Sequence, residues 1–282
     1  MVLVSVVIPV SDRPKELFRA ICSVQSQKLK EIEILVIENN SRDPDGVSQV
    51  VDQFDDRRIR LVRCPKCRNA NAARNVGAFL ATGECVAYLD SDDEWHPDYL
   101  SYSYAFLRSS NADFLYGGGR FIYDDDVIIH AARDLRDKES GLDYAVGKNK
   151  CWAQTSSFFC KKEVLYCVHW DERLARHQDY DYFSAVSKEV RIKMNPFVGA
   201  IVHWEKKRTG KECLRDYIKF HKKWKSEMSA ETEFYYCQRR VRALFRQRSF
   251  FGSLVMAQRG VLALLRYMLA RSLGEATCRK VF

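Results

Sequence analysis

Asp90, Asp92, Asp93 and Glu94 stand within five positions of one another in AYLDSDDEWHPDYL, residues 87–100, directly behind an apolar run. Carboxylates this close repel, and a fold accepts the repulsion when a positive group joins them. A hard divalent cation is such a group: it takes carboxylate oxygens and keeps positions open for phosphate. The chemistry on offer is Lewis-acid assistance to a departing phosphate. The plain alternative is a solvated acidic loop in which Asp93 and Glu94 serve the N-terminus of the next helix.

The elements around this stretch alternate. Residues 4–10, VSVVIPV, form a β-rich run, and residues 14–27 follow with Leu17, Ile21 and Val24 at helical spacing behind Pro14. EIEILVIE then reads as strand, PDGVSQVVDQF as helix, RIRLVR as strand, NAARNVGAFLAT as helix and CVAYLD as strand. Near-continuous Val, Ile and Leu strands separated by helices predict an α/β fold with a mostly parallel central sheet covered by helices on both faces. Such sheets bind ligands beyond the carboxyl ends of their strands. Residues 9–12, 38–40 and 90–92 all fall there, so three polar clusters are expected in one crevice. After residue 100 the pattern is mixed, with a turn at Gly117, Gly118 and Gly119, apolar segments near 113–116 and 126–130, and a polar stretch from 133 to 150. From about residue 212 the chain reads helical, basic and aromatic.

The 282 residues, 46% hydrophobic and 29% charged, suffice for a full core and exclude a disordered or fibrous chain. MVLVSVVIPV lacks a basic leader, and no stretch reaches the roughly 18 apolar residues of a spanning helix. The expectation is a cytoplasmic protein, peripheral on the inner face of the cell membrane. Ten scattered cysteines are expected to be reduced thiols, and Cys64 and Cys67 have no second pair at zinc-site spacing. Residues 203–282 carry 19 Lys and Arg against 7 Asp and Glu, a net of +12, so the preceding part carries −3 of the total +9.

SVVIPVSDRPKELFRAICSVQSQ, EILVIENNSRD, NAARNVGAFLATGECVAYLDSDDEWHPDYL and DERLARHQDYDYF occur in an order and spacing that resemble family 2 glycosyltransferases, the inverting group with the GT-A fold. The resemblance covers roughly the first 205 residues. It implies a GT-A catalytic domain over 1–211, with a nucleotide-binding half (1–100) and an acceptor half (101–211), and a helical basic region over 212–282. Asp90, Ser91 and Asp92 match the family's DXD motif, whose second Asp binds Mn2+ or Mg2+ and whose first lies by the ribose. Pro9, Ser11 and Asp12, where Asn is common, match positions that hold the nucleoside. Glu38 and Asn39 stand where two acidic residues are usual, and Arg74 matches an arginine near the nucleotide. Asp179 matches the general base that deprotonates the acceptor hydroxyl. Gln178 replaces the usual Glu, and Asp181 is the neighbouring alternative.

His203 matches a histidine placed near the diphosphate or metal in many members, and Lys206, Lys207, Arg208 and Lys211 are candidates to close over phosphates. Trp95, Trp152 and Trp204 are candidates to stack on sugars, with Trp95, Trp152 and Gln178 assigned to the acceptor. No Gln-x-x-Arg-Trp segment is present, which favours a single-sugar transferase over a processive synthase. The implied activity is metal-dependent inverting transfer of one sugar from a UDP-linked donor to a hydroxyl of a surface glycan or lipid-linked oligosaccharide. The tail, mixing Arg with Phe, Leu, Met and Tyr, reads either as an interfacial helix on an anionic membrane surface or as a helical cap. Nucleic acid is not expected as a partner. Two other classes stay open: a catalytically weak nucleotide-sugar-binding or scaffold protein, and a nucleotidyltransferase. The latter lacks its Gly-rich, basic signature in PVSDRP.

Overall fold

The computed structural model describes residues 1–123, 126–204 and 214–273. Its first strand, β1 (Val4–Val10), is buried at every position, as a Val- and Ile-rich strand in the middle of a covered sheet must be. It leads through Pro14 at the first helical position into α1 (Pro14–Gln25). β2 (Ile32–Glu38), α2 (Pro44–Val51), β3 (Ile59–Arg63), α3 (Ala70–Leu80) and β4 (Cys85–Tyr88) continue the alternation. Asp43 caps α2 through the Gly46 N–H, and Asn69 caps α3 through the Ala72 N–H.

The second half is less regular. β5 (Glu94–Trp95), α4 (Tyr99–Ser109), β6 (Phe114–Tyr116), β7 (Gly119–Tyr123), β8 (Asp126–His130) and α5 (Gly141–Val146) come first. β9 (Phe159–Lys161), α6 (Val164–Cys167), α7 (Gln178–Glu189), β10 (Ile192–Met194) and β11 (Ala200–His203) follow. The chain then forms α8 (Leu214–Trp224), α9 (Ala230–Arg246) and α10 (Phe250–Leu273).

The main sheet has seven strands in the order β10-β6-β9-β4-β1-β2-β3. β1 runs parallel to β2 and β4, β2 to β3, and β6 to β10, while β9 is antiparallel to both of its neighbours. Asp113 ties this far side together, accepting from Lys161 Nζ at 2.8 Å and Arg191 Nε at 2.9 Å, and the Arg191 guanidinium holds its carboxyl well below the usual range. A second sheet, β5-β11-β7-β8, was not legible in the sequence, because a two-residue strand such as β5 shows no alternation.

Pro9 sits in an interior strand, between β4 and β2, without breaking it. Val7 O accepts from Leu89 N–H and Val10 O from Asn39 N–H, so odd residues of β1 face β4 and even ones face β2. β4 ends at Tyr88, opposite Val7. The donor that proline lacks therefore points to where the ladder has already stopped, at the mouth of the crevice.

The chain divides into two compact units, one of residues 1–134 and 152–206 and one of residues 135–151 and 207–282. The polar stretch 135–151, which the sequence reading places in the acceptor half, packs instead with the C-terminal helices. Thr232 Oγ1 donates to Asp143, and Arg239 Nη2 donates to the Val146 and Gly147 carbonyls. Inside this unit His221 and Glu233 are buried. Arg259 Nη1 donates to His221 Nδ1 at 2.8 Å, so the ring proton lies on Nε2 and goes to Glu233 Oε1 at 2.7 Å. Arg266 Nη1 donates to the other Glu233 oxygen at 2.6 Å, joining α8, α9 and α10.

The expectation of reduced thiols needs one correction: Cys64 and Cys67 form a disulfide across the turn after β3. The turn itself brings them together, with the Cys67 N–H on the Cys64 carbonyl. Among the described residues, Cys22, Cys85, Cys160, Cys167 and Cys237 are outside any disulfide.

Gly77 lets α3 lie close on β1, because a methyl there would overlap the Val7 side chain. Gly77→Val is expected to lower stability by about 2–3 kcal/mol, read as a reduced denaturation midpoint. An unchanged midpoint would show that α3 can back away from the sheet at no cost.

Candidate functional site

The loops after β1 and β2 are knotted together at the carboxyl edge of the sheet. Both turn through a left-handed residue, Asp12 at φ 52° and Asn40 at φ 55°, a conformation that Asp and Asn tolerate better than most. Asp12 Oδ1 accepts from the Arg42 N–H at 2.7 Å, its N–H reaches Ser41 Oγ at 3.2 Å, and Glu38 Oε1 accepts from the Ser41 N–H at 2.6 Å. Glu38 and Asn39 are buried, and Pro9 ends the wall between them and β4. Ser11 is half-buried beside Asp12.

The residues after β4 face this knot. Asp90, Asp92 and Asp93 each place a carboxylate oxygen within 4.8 Å of the other two, and are suited to holding one metal ion. Hard oxygens in such a cluster fit Mg2+ or Mn2+. Each carboxylate has its own support. Arg74 Nη2 pairs with Asp90 Oδ1 at 2.5 Å, and Arg13 Nη1 lies 3.3 Å from Asp92 Oδ2. Arg19 Nη2 donates to the Asp92 carbonyl at 2.6 Å. Asp93 accepts from Ser156 Oγ at 2.6 Å, Gln154 Nε2 at 2.9 Å and the His203 N–H at 3.3 Å. Burial, followed by the charge of Asp90, pushes the Asp93 carboxyl well above the usual range.

Glu94 and Asp93 do not cap α4, whose N-cap position is Asp98. Glu94 lies in β5 and pairs with Arg19 Nε at 3.2 Å and His203 Nε2 at 2.5 Å. His203, expected beside the metal, turns its ring onto Glu94 and touches the carboxylate cluster through its backbone N–H. Only the pairing of β5 with β11 brings residues 94 and 203 near each other.

Arg74 carries the link to the other half of the site. It is 3% exposed, on α3, with its guanidinium 4.5 Å from the Trp170 ring centroid. Besides Asp90 it reaches Asn71 Oδ1 at 2.9 Å and Gln178 Oε1 at 3.0 Å. Gln178 opens α7, behind His177 at φ 60°. The next residue, Asp179, is half-buried in the first turn and accepts from the Tyr180 N–H. Asp181 is 1% exposed and points into the core side of the helix.

One expected acceptor contact needs correction. Trp95 is 2% exposed, packs on Tyr99 and donates its indole N–H to the Ser156 carbonyl, so it is a core residue. Gln178 spends its oxygen on Arg74 and its NH2 on the Leu174 carbonyl. Trp152 is half-buried among Phe121 and His130, and Trp204 is half exposed beside Phe121 and Tyr123. Lys206, Lys207, Arg208 and Lys211 lie outside the described residues. Sequence reasoning missed Arg13, Arg19, Gln154 and Ser156; the two arginines and Asp92 had no local pattern to connect them.

Residues 5–174 match glycosyl transferase family 2. The amylovoran biosynthesis glycosyltransferase AmsB of Erwinia amylovora is 29% identical over 187 residues, 63% of this chain and 61% of that protein. The UDP-Glc:alpha-D-GlcNAc-diphosphoundecaprenol beta-1,3-glucosyltransferase WfgD of Escherichia coli is 30% identical over 126 residues, 45% of this chain and 49% of that protein. The chain thus spans about half to three fifths of the length of these relatives. Among solved structures, S. aureus TarS 1-349 in complex with UDP-GlcNAc superposes with a TM-score of 0.67 at 17% identity, over 95% of this chain and 81% of that one. The shared architecture is the GT-A-like α/β fold. By the match over most of its first unit and by that fold, the chain belongs to glycosyl transferase family 2.

Proposed function

We propose that the chain transfers a single sugar, with inversion, from a UDP-linked donor to a hydroxyl of a surface glycan or lipid-linked oligosaccharide. The observation that carries this reading is the meeting of Asp90, Asp92 and Asp93 at the carboxyl end of β4, across from the loops after β1 and β2. Asp92 and Asp90, with Asp93 in reach, would hold Mn2+ or Mg2+. When bound, the ion supplies Lewis-acid assistance to departure of the nucleoside diphosphate. The names of relatives support the choice of donor and acceptor: WfgD carries UDP-Glc and a diphosphoundecaprenol acceptor in its name, and TarS has been crystallised with UDP and with UDP-GlcNAc.

In this reading Pro9, Ser11 and Asp12 line the nucleoside, while Glu38 and Asn39 offer acceptor atoms to an imide N–H of the base. Ser91 fills the short step between the two metal-facing aspartates. Asp179 takes the proton of the attacking hydroxyl, and its negative charge favours a transition state with oxocarbenium character. Arg74 is a positioning residue: its rigid fork holds Asp90 on one side and, through Gln178, the start of α7 on the other.

The second unit carries an exposed apolar helix face. The face of α10 away from α9 exposes Phe250, Leu254, Val261, Leu262, Leu265 and Met268, interrupted by Gln258. Gly252 and Gly260 on the opposite face lie against Leu244 and Cys237 of α9. No described helix is long and apolar enough to cross a membrane. An apolar stripe on a basic helical unit suits the headgroup boundary of an anionic membrane.

Calorimetric titration with UDP, GDP and CDP, each with Mn2+ and with EDTA, tests the donor site. UDP is expected to bind with Mn2+ and to lose that binding in EDTA and in Asp92→Ala. Absence of any nucleotide binding would overturn the reading. Asp179→Asn is expected to lower kcat by about 10²–10⁴ with UDP affinity kept, whereas a scaffold protein would lose nothing. Arg74→Lys keeps the charge but not the fork, and is expected to reduce kcat about tenfold or more with a smaller change in donor KM; a normal kcat would remove Arg74 from the positioning role. Sedimentation with phosphatidylglycerol vesicles is expected for the wild type and not for Leu254→Glu/Leu265→Glu. Equal recovery of both proteins with the vesicles would exclude α10 as the contact.

A further inference from the structure

Asp90 is held by buried Arg74, and Asp93 by Ser156 and Gln154, but Asp92 meets an arginine of a different kind. The Arg13 side chain is 40% exposed, while that of Asp92 is only 10% exposed, and the two approach to 3.3 Å. Arg13 occupies the N-cap position of α1, and its side chain makes no capping bond there. Its backbone is held by the helix that starts at Pro14, so the side chain alone is free to change partner. The first turn of a twelve-residue helix, with its positive end at the carboxyl edge of the sheet, stands directly behind it.

We propose that Arg13 is a placeholder cation that neutralises Asp92 until a divalent ion and the donor diphosphate arrive, and then turns onto the diphosphate oxygens. This rests on the reading of Asp92 as a metal ligand. The Arg13 guanidinium lies 3.3 Å from an oxygen of a carboxylate that would hold the metal, and two cations on one carboxylate repel. The diphosphate offers the displaced guanidinium a planar pair of oxygens, its preferred bidentate partner. The exchange needs no new positive charge from elsewhere, and it couples metal to nucleotide: the ion alone must evict Arg13 without offering it a new partner. Arg19 stays in place throughout, since it grips the Asp92 backbone carbonyl and Glu94 rather than the carboxylate.

The test uses two ligands on one variant. Arg13→Gln removes an exposed side chain, so the fold is expected to survive it. With Mn2+ alone, followed by electron paramagnetic resonance of the free ion, the variant is expected to bind about three- to fivefold tighter than wild type, because the Arg13 guanidinium no longer competes. With UDP in the presence of Mn2+, followed by calorimetry, it is expected to bind about tenfold weaker, because a charge-assisted contact to phosphate is gone. Arg13→Lys should recover part of the UDP affinity. If both affinities are unchanged, Arg13 is only a surface residue and the proposal falls; if both weaken, Arg13 supports the loop and the proposal falls as well. If wild type binds neither Mn2+ nor UDP, the metal reading of Asp92 itself fails, an outcome distinct from a failure of Arg13.

Discussion

The structure turns on the mutual repulsion of Asp90, Asp92 and Asp93. With oxygens within 4.8 Å, each ionised pair repels by roughly 3 kcal/mol at the effective dielectric of a protein edge. The fold answers by bringing one source of charge or hydrogen bonds to each carboxylate from a different element: Arg74 from α3, Arg13 from the start of α1, and Ser156 with Gln154 from the segment before β9. The same need explains the close packing of α3 on β1. Arg74 reaches Asp90 only because Gly77, one turn later, allows the helix to lie against Val7.

The small second sheet belongs to the same arrangement. By pairing β5 with β11, it sets Glu94 against His203 and puts the His203 N–H on Asp93. Glu94 is thereby held by His203 from β11 and by Arg19 from α1. Arg74 extends the network in the other direction, through Gln178 to the first turn of α7. The neutral glutamine suits this place: Arg74 has one positive charge, and Asp90 already takes it. A glutamate at 178 would set a second carboxylate on the same guanidinium.

How legible was this beforehand? The βα alternation through β4 could be read to within a few residues, because Val, Ile and Leu runs between helical patterns leave few other arrangements. The three polar clusters were also legible, since strand ends in a parallel sheet point the same way. The acidic stretch and Arg74 stood out by type and position. Trp95 did not: its sequence neighbours suggested a sugar platform, but β5 turns the ring into the core, where Tyr99 and the Ser156 carbonyl hold it. The Cys64–Cys67 disulfide ran against the composition of the chain, which has no framework of pairs.

Residue type and local period alone determined the parallel half-sheet and the presence of a basic helical tail, and the resemblance of four motifs pointed to the family. These depend on contacts between residues a few positions apart or on patterns repeated along one strand or helix. The tertiary structure decided which charge answers which. Arg13 and Asp92 are 79 positions apart, Glu94 and His203 are 109 apart, and Arg74 and Gln178 are 104 apart. It also decided that residues 135–151 join the C-terminal helices, through Asp143, Thr232 and Arg239. An ion pair or buried hydrogen bond is set by distance in space, and no periodicity in the chain encodes a partner a hundred residues away.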